Sequence, residues 1–157
     1  MANTSTVTQT TSSAPKIHTV KAVALSTYLK RHFRDDTMAL ATATGIKPYQ
    51  IRKWLNNNAV LADGKVYLKA SKIDETAEQT RSRLKALSTT RGVEGEAFND
   101  MLSRDFGGNQ SQFAKHYGVH QQQVNRWTKR DCLFIEEQVY RMQRPLFEDA
   151  AEAPAKH

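Results

Sequence analysis

The chain has one cysteine in 157 residues, Cys132, so an intramolecular disulfide framework is excluded and a reducing compartment is expected. It lacks any apolar run near the roughly twenty residues that a bilayer-spanning helix needs, and no secretory leader is visible. A soluble, cytoplasmic protein without membrane contact is the expectation. Glycine is sparse, at seven residues, and no glycine-rich loop able to cradle phosphate occurs; nor does any triad signature for nucleophilic catalysis. His116 and His120 have the spacing of a metal pair on a helix, but Gly118 falls between them in an expected turn and no third ligand follows. Cys132 is followed by Leu133 and Phe134, surroundings that suit a buried, inert thiol. Asp35 with Asp36, and Asp74 with Glu75, sit where helices begin and serve as caps in this reading. No catalytic role, no metal and no cofactor is therefore expected.

One further absence carries the argument. Residues 109–130 contain no Asp or Glu, in a chain whose formal net charge is +7. Residues 18–70 hold nine Lys and Arg against three acids, whereas residues 96–147 hold seven against six. The first half is expected to dominate general attraction to a polyanion, and the second half keeps its acids away from one stretch.

The chain also repeats itself. With an offset of 73 and no gaps, residues 28–67 lie over residues 101–140, with identities at Leu29/Leu102, Arg31/Arg104, Phe33/Phe106, Ala41/Ala114, Gly45/Gly118, Gln50/Gln123, Trp54/Trp127, Val66/Val139 and Tyr67/Tyr140. These fall on positions that a small helical core needs. In the first copy, Leu25, Tyr28, Leu29 and Phe33 make one stripe on a helix expected over residues 20–33; Phe98, Met101, Leu102 and Phe106 repeat it. A short helix follows over residues 37–44, matched by 110–117, and then a glycine turn. A third helix is expected over residues 48–56, opened by Pro48, and over residues 121–130 in the second copy. Asp63-Gly64 signals a hairpin between apolar strands, and Glu136-Glu137 occupies the equivalent place without a glycine. Tyr67 and Tyr140 are expected to pack on the helices.

The third helices present the distinctive chemistry. In the second copy Val124 and Trp127 face inward, leaving His120, Gln121, Gln122, Asn125 and Arg126 outward, with Gln110 opening the preceding helix and Lys129 closing the run. Gln and Asn pair bidentately with adenine, and Arg with guanine, in the major groove of double-stranded DNA. The first copy presents Lys47, Tyr49, Arg52, Lys53 and Asn56 instead.

An alanine fifth, a glycine ninth, a branched apolar residue fifteenth and an apolar residue eighteenth, counted from Thr37 or Gln110, together with Gly118-Val-His-Gln-Gln-Gln-Val-Asn-Arg126, resemble the helix-turn-helix proteins, and specifically the Cro-type repressors of lambdoid phages. The resemblance covers roughly 110 residues. It implies an α+β, mainly α fold of two tandem Cro-like helix-turn-helix domains, each three helices plus a β-hairpin. The organisation it implies is a disordered tail at 1–17, a first domain at 18–70, a helical linker at 71–95, a second domain at 96–147 and a flexible acidic tail at 148–157. Pro145-Leu-Phe147 is similar to the tail that Cro uses at its dimer interface. In the linker, Ser71 and Asp74 suggest a capping box, and Ile73, Ala77, Leu84 and Leu87 an apolar stripe on a helix over 72–88.

The implied function is that of a sequence-specific regulator of transcription, a bacteriophage-type repressor. Because the copies are unequal, one chain acting as a monomeric pseudo-dimer would read an asymmetric site; the alternative is a homodimer of whole chains. Two other readings compete: an effector that occupies a host protein through the same helices, and a protein that coats DNA without regard to sequence.

Overall fold

The computed structural model describes residues 19–147; both expected tails, 1–17 and 148–157, lie outside the described residues. In chain order the elements are β1 (Thr19–Ala24), α1 (Leu25–Phe33), α2 (Thr37–Thr44), α3 (Pro48–Asn56), β2 (Val60–Ala62), β3 (Lys65–Lys69), α4 (Ala77–Ser88), β4 (Val93–Ala97), α5 (Phe98–Phe106), α6 (Gln110–Tyr117), α7 (Gln121–Thr128), β5 (Cys132–Ile135) and β6 (Gln138–Pro145). The content is mixed α and β. None of these helices is long and apolar enough to cross a membrane.

Local signals explain the helices. The Asp36 carboxylate accepts from the Ala39 N–H at 3.1 Å to open α2, and the Asn109 side-chain Oδ1 accepts from the Gln112 N–H at 3.0 Å to open α6. Gly45 and Gly118 close these helices at φ of 79° and 68°, a conformation that an L side chain rarely adopts. Pro48 begins α3, where its missing N–H loses no helical bond. Helix α1 does not begin at residue 20 as expected. Thr19–Ala24 is a strand, and the chain turns helical only at Leu25.

That strand changes the architecture. β1 pairs antiparallel with β2 and also with β4, while β3 pairs with β6, so the six strands close into one barrel in the order β1-β2-β3-β6-β5-β4. The expectation of two tandem helix-turn-helix domains, each with its own hairpin and joined by a linker, is therefore wrong. Both hairpins form, but they are walls of a shared barrel. Without β1 and β4 each hairpin would carry an unpaired edge, and closure removes both.

The register follows the repeat through the barrel. Lys21 pairs with Glu94 and Leu68 with Arg141, in each case a residue with its own equivalent 73 positions on. One step away, Val20 faces Gly95 as Ala22 faces Val93, and Tyr67 faces Met142 as Lys69 faces Tyr140. Pairing of this kind places an approximate two-fold axis through the Lys21/Glu94 and Leu68/Arg141 pairs. The halves are related by that axis and not by simple translation.

Alternation along the strands divides the interior into three cores. Val60, Ala62, Tyr67, Leu133, Ile135 and Tyr140 point into the barrel with Ala22. Leu61 and Val66 point out against Leu25, Leu29, Leu40, Ile51 and Trp54 of the first copy. Cys132 and Val139 point out against Phe98, Met101, Phe113, Val124 and Trp127 of the second. Tyr67 and Tyr140 thus fill the barrel instead of packing on the helices. Gly95 leaves room for Ile135: a Cβ there would lie 2.7 Å from the Ile135 Cγ1.

Each half also lends a side chain to the other. Leu146, just past β6, is 1% exposed and packs in the first copy's helical core, held by its N–H donating to the Gly64 carbonyl at 2.9 Å. Its equivalent, Ile73, just past β3, is buried in the second copy's core. The tail expected to serve a dimer interface therefore works within one chain.

The connector is tied to the barrel. Leu87 of α4 enters the barrel core, and Thr27 of α1 donates to the Ser88 carbonyl at 2.7 Å. Arg83, 4% exposed, donates to Tyr140 Oη at 2.6 Å and pairs with Glu75. The expected Ser71/Asp74 capping box is absent. Thr76 and Gln79 form the box that opens α4, while Ser71 donates to the buried Gln138 at 2.7 Å. Glu75 is consequently an ion-pair partner and not a cap.

Candidate nucleic-acid interface

The two third helices carry the residues singled out from the sequence. In α3, Ile51 and Trp54 are buried three residues apart and pin the helix against α1 and α2, so the opposite face is turned to solvent. Lys47, Tyr49, Arg52, Lys53 and Asn56 are all exposed. In α7, Val124 and Trp127 are buried with the same spacing. His120, Gln121, Gln122, Asn125, Arg126 and Lys129 are exposed, and Gln110 at the start of α6 is half-buried. Asn99 of α5 donates to the Thr128 carbonyl at 3.0 Å, fixing the far end of α7.

Electrostatically both faces are one-signed. No acid occurs in α2, α3, α6 or α7. The ion pairs among the described residues engage Lys65, Arg83 and Arg104, none of which lies on these helices, so Lys47, Arg52, Lys53, Arg126 and Lys129 keep their charge available to an outside anion. A guanidinium or a carboxamide held on a pinned helix offers paired donors, or a donor beside an acceptor, in fixed relation. That arrangement can hydrogen-bond the edges of bases or grip phosphate.

The copies differ position by position. Lys47, Tyr49, Arg52, Lys53 and Asn56 stand where the second copy has His120, Gln122, Asn125, Arg126 and Lys129. The first face is thus cationic with one aromatic, and the second is amide-rich. The side chain of Gln123 turns back on its own helix, where its carbonyl accepts from the His120 N–H at 3.4 Å.

Sequence reasoning passed over Arg130, exposed beside Lys129, although the acid-free run extends to it. It also passed over Lys30, Arg31 and Arg34 around the end of α1, exposed and outside any described ion pair, whereas Arg104, the equivalent of Arg31, is tied to Glu96 and Asp105.

A polar cleft of about 590 Å³ between α4 and the β5–β6 turn is lined by Asp74, Glu75, Glu78, Glu136 and Glu137 among others, a charge that repels phosphate. No cluster of His, Cys, Asp and Glu among the described residues has the form of a metal site. Burial pushes the Cys132 thiol up to about 11, which leaves it protonated and unreactive near neutrality.

Comparison with models of known families, with curated proteins and with solved structures finds no match to this chain.

Proposed function

We propose that the protein is a sequence-specific regulator that binds double-stranded DNA through the exposed faces of α3 and α7, one chain spanning one site. The observation that carries this reading is the pair of pinned, acid-free helices on the two halves of a barrel whose strand register has two-fold symmetry. Helices related by a two-fold axis match the local symmetry of a duplex, in which successive major-groove faces about 34 Å apart run in opposite senses. Because the faces carry different side chains, the two half-sites are inverted in orientation but unlike in sequence. Gln121, Gln122, Asn125 and Arg126 suit adenine and guanine edges in one half; Arg52, Lys53 and Asn56 suit guanine edges and phosphates in the other. Lys47, His120, Lys129 and Gln110 border these faces and suit the backbone.

In this reading the chain acts as a monomer on bacterial DNA in the cytoplasm and represses by occupying a promoter. The closed barrel supports a monomer, since among the described residues its six strands leave no free edge for a second copy to extend. The experiment is a mobility-shift series with a random-sequence duplex pool across salt. Retention that falls by about a thousandfold or more between 50 and 200 mM salt is expected if six or more phosphates are neutralised. Failure to retain duplex DNA even at low salt would overturn the reading.

A second reading has one observation in its favour. Met38 and Tyr49, the large apolar side chains most exposed among the described residues at 58% and 62%, both lie on the first copy's helices, as they would if that face docked on a protein. A complex with a protein that is indifferent to salt, formed by a chain that retains no duplex, would favour it.

A further inference from the structure

We infer that Tyr49 is a specificity-determining residue that reads the C5-methyl group of a thymine in the half-site contacted by α3; this rests on the DNA-binding reading above. Tyr49 occupies the second position of α3, directly after Pro48, and is 62% exposed. The N-terminal residues of a groove-reading helix are those that reach base edges. Among the described residues no side-chain hydrogen bond, ring contact or ion pair engages the Tyr49 ring, so the described fold makes no such use of this aromatic.

Holding such a ring in water is unfavourable for the free protein, and most of its area is apolar. Arg52 is on the same exposed face one turn on, with Lys53 beside it, so the ring stands in a cationic field that draws phosphate toward it. In the major groove the apolar feature that a base edge offers is the thymine methyl, and aromatic side chains contact it. The second copy shows the contrast. Its equivalent of Tyr49 is Gln122, whose carboxamide suits adenine. The halves then differ in kind: one reads adenine by paired hydrogen bonds, the other reads thymine by apolar contact with Arg52 on a neighbouring guanine.

Pro48 sharpens this. With its ring in place of the Gln121 carboxamide, the first turn of α3 has lost a hydrogen-bonding side chain that α7 possesses. Apolar recognition by Tyr49 supplies discrimination that this turn lacks.

The test uses the whole chain. A binding site is selected from random duplex DNA, the half facing α3 is assigned by the positions that lose preference in Arg52→Ala, and each thymine in that half is replaced in turn by uracil, which removes the methyl and nothing else. Burying one methyl-sized group is worth about 0.8 kcal/mol, or about fourfold in affinity. The expected result is one thymine whose replacement costs about fourfold with the native protein and with Tyr49→Phe, and nothing with Tyr49→Ala. Met38→Ala is expected to leave that discrimination intact. Indifference to uracil throughout the α3 half, or a cost that survives in Tyr49→Ala, overturns the inference while leaving DNA binding standing. Selection that enriches no sequence at all overturns both.

Discussion

Leu146 is the most direct handle on how the two halves depend on each other. It follows directly on the last strand of the second copy yet is 1% exposed inside the first copy's core, with Leu25, Leu29, Ile51 and Trp54. Replacing it by Ala removes three carbons from a closed core and leaves a cavity, a change that costs about 2 to 5 kcal/mol. With a urea slope of about 2 kcal/mol per molar, the midpoint falls by about 1 to 2.5 M. The assay exploits the two tryptophans of the chain, each buried in a different helical core: Trp54 in the first, Trp127 in the second. In Trp127→Phe and Trp54→Phe backgrounds, the remaining indole reports one half at a time. If the barrel and the Leu146/Ile73 exchange make one cooperative unit, the two transitions coincide and Leu146→Ala shifts both by the same amount. A shift confined to the Trp54 signal, with the Trp127 transition unmoved, would show halves that unfold independently and would refute the shared-barrel account of stability.

Further outcomes follow from the same geometry. Asn125→Ala or Arg126→Ala is expected to cost about 1 to 3 kcal/mol on the selected site and little on random duplex, measured by competitive titration; equal losses on both would mean that α7 only holds the backbone. The hydrogen bond from Arg83 holds Glu75 below the usual carboxylate range, so the unfolded chain takes up the proton more readily than the folded one. The stability that this pair contributes is complete above about pH 4.3 and is lost as pH falls through the lowered folded value, so Glu75→Gln flattens the acid limb of a stability-against-pH curve; an unchanged limb would contradict the coupling. Glu136 and Glu137 both sit at positive φ, 48° and 65°. Replacing them by Asn and Gly, which tolerate that conformation, is expected to stabilise the fold by about 1 kcal/mol in thermal unfolding, and a lower midpoint would count against the turn assignment.

Much of the helical part was legible because its signals are local. Ala41, Gly45, Ile51 and Trp54, and their partners 73 residues on, specify two helices and the turn between them through spacing alone, and the same spacing places Arg52 and Arg126 outward. Glu136-Glu137 shows a turn imposed by its flanks: Phe134 faces Val139 and Ile135 faces Gln138 across the hairpin, which outweighs the poor fit of glutamate to positive φ. The barrel was not legible. Thr19–Ala24 is short and its alternation of small residues is weak, so it joined easily to the helical stripe that begins at Leu25; what makes it a strand is pairing with residues about 40 and about 70 positions away. The strand Val93–Ala97 was split for the same reason, its first three residues absorbed into the connector and its last two into the second domain. Once both strands are missed, the halves look separable, and Ile73 looks like part of a connector-helix stripe and Leu146 like part of a dimer tail, when each contributes to the opposite core. Arg83 lies off the apolar stripe expected on the connector helix, and its burial is made tolerable by the nearness of Glu75 and Tyr140.

The measurement that bears most directly on the central claim is the native mass of the complex formed on the site selected from random duplexes, taken with the sequence of that site. The account predicts one chain per duplex on two unlike, inverted half-sites, with losses at one half in Arg52→Ala and at the other in Asn125→Ala. Two chains on a palindrome, each half lost to the same substitution, would contradict it.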